Sequence, residues 1–237
     1  MKKIFGVLLV LVILVAVAME LILPRVFEGM LKDMVTKSTN ATSVEVHLAS
    51  SPNAKLVAGY VGKIYATATA GEIGNLEFQA LTLDGEKVVV DVPEILFPSQ
   101  NLTDKQRAEK ILKSAEKFEL SGIVTEDGLK EFIESKVEHM DNAKVKITPQ
   151  EVTATGKVKF MGRDADVDVA GMFILDNGDV YFRATKLDFK NTLVRNVQID
   201  RFLGDVKVLE SSTLPLGLKF SSLQMRDGDI LITATRN

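Results

Sequence analysis

Apolar positions follow three regimes along the chain. From Ile4 to Met19 sixteen residues pass without a charge, and after Glu20 come Leu21, Ile22 and Leu23 before Pro24. At about 1.5 Å per residue such a stretch, as a helix, reaches roughly 30 Å, the thickness of a bilayer's hydrocarbon core. Past Pro24 the pattern becomes one-sided. Val26, Phe27, Met30, Leu31, Met34 and Val35 recur three and four residues apart, with Arg25, Glu28, Lys32 and Asp33 between them, the signature of an amphipathic helix. Beyond that helix, alternation dominates.

Residues 42–48 alternate Val44, Val46 and Leu48 with polar neighbours and predict a half-buried strand. A short helix is expected around Leu56, Val57 and Tyr60, ending near Gly59 or Gly62. Strands follow over 64–70 and 76–83, the second with a phase slip between Phe78 and Leu81 that suggests a bulge. Asp84-Gly85 predicts a tight hairpin, with 88–92 as its return strand. Thr103 and Gln106 form a capping box for a charged surface helix over 102–117, and a further helix starts at Thr125 with Leu129, Phe132, Ile133 and Val137 buried. The remainder predicts strands over 143–147, 150–160, 164–175 and 180–187, a helical excursion over 194–209, and closing strands to Met225 and over 230–235. Gly-containing turns between alternating segments indicate antiparallel meanders rather than parallel crossovers. The order is helix-then-meander twice. The expected fold class is therefore α+β: curved antiparallel sheets wrapped on long amphipathic helices, preceded by one N-terminal transmembrane or signal helix.

Two readings of the first segment stand. Lys2 and Lys3, the apolar middle and Ala16-Val17-Ala18 fit a secretory signal with a small-x-small cleavage site. Hydrophobicity that continues past Ala18 fits an uncleaved anchor with the lysines held inside. Either one exports the rest. Residues 1–23 are then anchor or signal, and 24–237 a single extracytoplasmic domain, held at the cell membrane by a retained anchor or exported if the N-terminus is cleaved.

Composition narrows the chemistry. The 237 residues include no cysteine, which excludes disulfides, thiol catalysis and cysteine metal sites. Without Lys2 and Lys3 there remain 27 basic and 32 acidic residues, a net charge of −5, which argues against nucleic acid as a partner. Tryptophan is absent, so no sugar-stacking indole platform exists. His47 and His139 have no nucleophile or second histidine at a motif spacing. Asp164, Asp166 and Asp168 share one strand face; such a row suits a solvated face paired with lysines on a neighbouring strand better than a metal site. No catalytic residue, metal or cofactor is expected, and the chain reads as a non-enzyme. What remains is apolar surface: Phe27, Met30, Leu31 and Met34 on the first helix, with Phe78, Phe173, Phe182, Phe220 and Met225 on strands. Methionine and phenylalanine in that setting suit acyl chains between helix and sheet.

Particular stretches also resemble a known family. They are Ser51-Pro52 with Leu56-Val57-Ala58-Gly59-Tyr60-Val61, then Leu76-Glu77-Phe78 to Val92, and Ile123-Val124-Thr125-Glu126-Asp127-Gly128-Leu129 with Phe132-Ile133. Val158-Lys159-Phe160-Met161-Gly162 through Val169-Ala170-Gly171, Leu214-Pro215-Leu216-Gly217-Leu218 and Asp227-Gly228 complete the pattern. In order and spacing they resemble the LmeA-like phospholipid-binding family of bacterial envelope proteins. The resemblance implies an elongated sheet wrapped on a long helix, similar to tubular lipid-binding domains, that binds membrane phospholipid without catalysis. Two functions follow as expectations. One is a membrane-anchored binder of phospholipid acyl chains, in envelope lipid or glycolipid homeostasis; the other is a structural or scaffold module that engages envelope-assembly proteins.

Overall fold

The computed structural model describes residues 20–236 apart from 34, 38, 98, 100, 101, 103–105, 107–109, 137–140, 161, 162 and 191–204. The uncharged stretch through Met19 lies outside them. Among the described residues no helix is long and apolar enough to cross a membrane. Helix α1 covers residues 20–33, α2 Val92–Leu96 and α3 Glu126–Lys136. Among the described residues twelve strands build two antiparallel sheets. Seven lie in one, in the order β1 (Ser43–Ala49), β2 (Tyr60–Ile73), β3 (Leu76–Val90), β5 (Lys117–Thr125), β12 (Asp229–Thr235), β11 (Lys219–Arg226), with β4 (Leu112–Ser114) also beside β3. Five form the other: β10 (Val206–Leu209), β9 (Asp179–Lys190), β8 (Arg163–Asp176), β7 (Val152–Phe160) and β6 (Asp141–Ile147). The α+β class and the curved antiparallel meanders stand as expected.

The chain divides into two compact units, Met1–Ala68 with Thr82–Glu119, and Thr69–Leu81 with Leu120–Asn237. In the first, β1 alternates exposed and buried along its whole length, with Val44, Val46 and Leu48 inward. Helix α1 runs through Pro24. A proline has no N–H for the carbonyl four residues earlier, and that Glu20 carbonyl accepts instead from Asn53 Nδ2 at 2.9 Å. The Glu20 carboxylate accepts from the Asn53 N–H at 3.0 and 2.9 Å. Asn53 opens a 3-10 helix, Asn53–Ala58, which ends at Gly59 with φ +80°. Only glycine fits there, since a Cβ would lie 2.1 Å from the Val90 carbonyl oxygen.

The predicted hairpin at Asp84-Gly85 is overturned: both residues lie inside the continuous strand β3. Gly85 is buried, and its Cβ would meet Ile64 Cγ2 at 2.4 Å and Phe118 Cδ2 at 3.1 Å. Its glycine serves close packing, not a turn. The reversal occurs at Gly74 and Asn75, φ +59° and +70°. The surface helix over 102–117 also fails at its C-terminal end. Leu112–Ser114 is β4, with Leu112 buried opposite Val90, and the chain then enters β5.

In the second unit, β6 to β9 form the expected meander, turned at Asn177-Gly178 with φ +50° and +84°. The helical excursion over 194–209 is corrected where it is described. Val206–Leu209 is a strand, Val206 opposite Phe182 and Leu209 opposite Val180. Val206 and Leu209 fit a helical spacing, but partners across the strand decide. Lys207 reaches Asp179 at 3.0 Å and Glu210 at 3.2 Å and holds the edge.

Candidate functional site

Strand β8 places Ala165, Val167, Val169, Gly171, Phe173 and Leu175 on one face, because alternate residues share a side. Register extends that face across three strands. Ala165, Val167, Val169 and Gly171 lie opposite Val158, Gly156, Ala154 and Val152 of β7. On the other side Val167, Val169, Gly171, Phe173 and Leu175 face Phe189, Leu187, Ala184, Phe182 and Val180 of β9. A register shift between Ala170 and Gly171 accommodates one extra residue in β9. That bulge keeps Phe182 and Val180 on the same side as Leu187 and Phe189. The Phe182 ring rests over Gly171, whose Cβ would sit 2.5 Å from Phe182 Cζ, and meets Phe173 edge-on at 5.3 Å between centroids. The apolar face so formed runs ten residue steps along β8, roughly 33 Å.

Burial along the face is uneven. Phe173, Val180 and Val152 are buried, whereas Val158, Val169, Leu187 and Phe189 are half-buried around Ala143 and Val167, with Ile133 of α3 packed onto them. The opposite face is polar where Asp164, Asp166 and Asp168 stand and apolar beyond them, at Ala170, Met172 and Ile174. Lys157 lies opposite Asp166, Lys159 opposite Asp164, and Asp166 also opposite Lys190. Lys190 forms an ion pair with Asp168. Asp168 thus has the lysine partner that the sequence suggests for the aspartate row, and among the described residues no group of acidic or histidine side chains could hold a metal ion.

A second apolar feature of this unit sits on the seven-stranded sheet. Ile73, Phe78, Leu81, Leu120, Gly122, Phe220, Ile232 and Ala234 line a pocket of about 10 Å³, room for about one water. Gly122 shapes it, since a Cβ there would lie 2.4 Å from Phe78 Cδ1. Every lining residue is apolar, so the pocket offers dispersion contacts and no proton donor or acceptor side chain. Behind it, on the outer side of β3, Glu77 shares a hydrogen bond with Glu131, which pushes its carboxyl above the usual value.

The model of the LmeA-like phospholipid-binding family matches residues 19–235. The chain belongs to that family. Comparison with functionally described proteins and with solved structures finds no match.

For an LmeA-like chain the residues singled out by sequence fall into three groups. Phe173 and Phe182 meet on the apolar face of the five-stranded sheet. Phe78 and Phe220 line the small pocket together, and Met225 lies half-buried farther along β11, opposite Ile230. Phe27, Met30 and Leu31 are half-buried on α1 in the first unit and line neither feature; Met34 lies outside the described residues. Sequence reasoning missed Val158, Val169, Leu187, Phe189 and Ile133. For Val158, Val169 and Leu187 the signal is strand alternation, which aromatic and methionine content alone does not capture; Phe189 lies beyond the strand expected over 180–187, and Ile133 reads as an ordinary buried helix position. It also missed Leu120 and Gly122, because β5 was not foreseen.

Proposed function

We propose that this member of the family is a membrane-anchored, extracytoplasmic protein that holds phospholipid acyl chains along the apolar face of its five-stranded sheet, in envelope lipid or glycolipid homeostasis, and catalyses no reaction. The observation that carries the reading is the run of half-buried apolar side chains at Val158, Val169, Leu187 and Phe189 beneath α3. The pocket behind Phe78 and Phe220 is too small for a hydrocarbon chain in this state. Each methylene withdrawn from water contributes about 0.8 kcal/mol. Some ten of them supply about 8 kcal/mol before ordering costs, without any charged contact. Anchoring rests on the apolar stretch up to Leu23, with Lys2 and Lys3 on the inner side.

The test uses the full chain in amphipol and a phospholipid with a photoreactive diazirine in one acyl chain. Cross-links are expected on 165–175 and 180–189, and Leu187→Glu or Phe189→Glu should lower labelling about tenfold, equivalent to about 1.4 kcal/mol. Labelling that neither substitution reduces, or that avoids both strands, would overturn this site.

A further inference from the structure

The exposed side of α1 changes character along its length. Its solvent-facing positions are Leu21, Ile22, Arg25 and Val26, then Gly29, Lys32 and Asp33. Leu21, Ile22 and Val26 are 61%, 56% and 50% exposed, apolar side chains where an ordinary surface helix carries polar ones. The apolar part spans only the first turns, about 8 Å by helical rise, and lies next to the uncharged stretch through Met19.

Asn53 ties this end of α1 to its neighbours. Its N–H and side-chain amide hold both the carboxylate and the carbonyl of Glu20, as described above, while its Oδ1 accepts from the Ser50 N–H at 3.1 Å. The 3-10 helix that Asn53 opens presents Val57, 53% exposed, and Lys55, also exposed. Gly59 at its end lies against Val92, the first residue of α2. One turn farther, past the end of α2, Phe97 is 80% exposed. Thus the first turns of α1, the 3-10 helix and α2 are tied through Asn53 and Gly59, and the segments so linked carry five of the eight large hydrophobic side chains most exposed among the described residues, while Met172 and Val206 belong to the second unit.

We infer that these linked segments form a bilayer-contact rim, with Leu21, Ile22, Val26, Val57 and Phe97 seated at the headgroup–acyl boundary of the membrane that the preceding segment inserts into. A depth of about 5–10 Å is the usual burial of an interfacial apolar face, and it matches the axial extent of Leu21 to Val26. Arg25 and Lys55 stand at headgroup level. The inference goes beyond acyl-chain binding in the second unit and depends only on the anchored orientation.

The chain has no tryptophan, so one introduced residue reports alone. Val57→Trp and Phe97→Trp are made singly in the full chain, with Tyr65→Trp on β2 as the control, and each is reconstituted in phosphatidylcholine liposomes whose acyl chains are brominated. Flotation with the liposomes and quenching at positions 57 and 97 at least threefold stronger than at 65 are expected. Flotation with equal quenching at all three positions overturns the rim while leaving the anchor intact. Failure to float overturns both. A blue shift at 57 and 97 that rises with protein density, without quenching, assigns the patch to a second copy of the chain and overturns the rim too. None of these outcomes depends on the cross-linking at β8 and β9, so the two proposals fail separately.

Discussion

Gly122 carries no side chain, and the space it leaves is taken by Phe78, whose Cδ1 and Cε1 would lie 2.4 and 2.6 Å from a Cβ. Overpacking of this kind costs about 1–3 kcal/mol, so Gly122→Ala should lower the unfolding free energy from urea titration by that amount, with a matching fall in the midpoint, and push the Phe78 ring into the pocket. An unchanged midpoint would show that the sheet yields freely there. Gly85 and Gly59 carry the same lesson. Sequence marks each glycine, but a glycine needed for close approach and one needed for a turn are spelled alike. Asp84-Gly85 therefore reads as a hairpin but packs inside a strand, while the break expected between the strands over 64–70 and 76–83 is a true reversal, at Gly74-Asn75 with positive φ values. Sequence marks Asn53, after Ser50-Ser51-Pro52, as part of a turn or a helix start, and it opens the 3-10 helix. Its role as the substitute donor for the carbonyl opposite Pro24 needed the chain brought back from thirty-three residues away.

At the scale of elements the two helix-then-meander segments share a device. The strand that follows each helix lies at a sheet edge, β1 in one sheet and β6 in the other, and an edge strand leaves amides without ladder partners. In both cases a glutamate of the preceding helix accepts them. Glu28 takes the Leu48 N–H at 2.8 Å, Glu134 the Ala143 N–H at 3.0 Å and Glu126 the Ile147 N–H at 2.9 Å. A hydrogen bond to a charged group contributes about 1.5–3 kcal/mol. Glu28→Ala and Glu134→Ala should accordingly speed hydrogen exchange at Leu48 and Ala143 by about ten- to a hundredfold, with Glu28→Gln and Glu134→Gln in between. Glu45→Ala, on the exposed side of β1, serves as the control and should leave both amides unchanged. The repeated order was legible from hydropathy; the glutamates were not, since a charged residue on an amphipathic helix reads as surface whichever strand it serves.

For the whole molecule, two carboxylates of the second unit respond to pH in opposite senses. The Ser211 N–H, at 2.8 Å, and then the Lys207 ammonium hold Asp179 below its ordinary 3.8. Its contribution is present above that value and lost as pH falls through the lowered one. Glu77 is raised above its ordinary 4.5, chiefly by the hydrogen bond with Glu131, so its contribution is full below that value and lost as pH rises through the raised one. In thermal melts between pH 2.5 and 7.5, Asp179→Asn should flatten the loss of stability at the acid end. Glu77→Gln should raise the melting temperature at pH 7.5 and leave it unchanged at pH 3.5. Reversal of either sign would show that the pairing in solution differs from this geometry.

The sequence by itself determined the uncharged N-terminal stretch, the alternation of nearly every strand from β6 to β9 and the family, because hydropathy period and motif order are local properties of the chain. Only the tertiary structure decided which apolar face stays half open. Phe173 and Phe182 read the same as Phe78 and Phe220 in one dimension. What separates them is neighbours: a bulge in β9 keeps one side of the five-stranded sheet apolar from end to end, whereas the absent Cβ of Gly122 lets Phe78 close the other pocket to the size of a water.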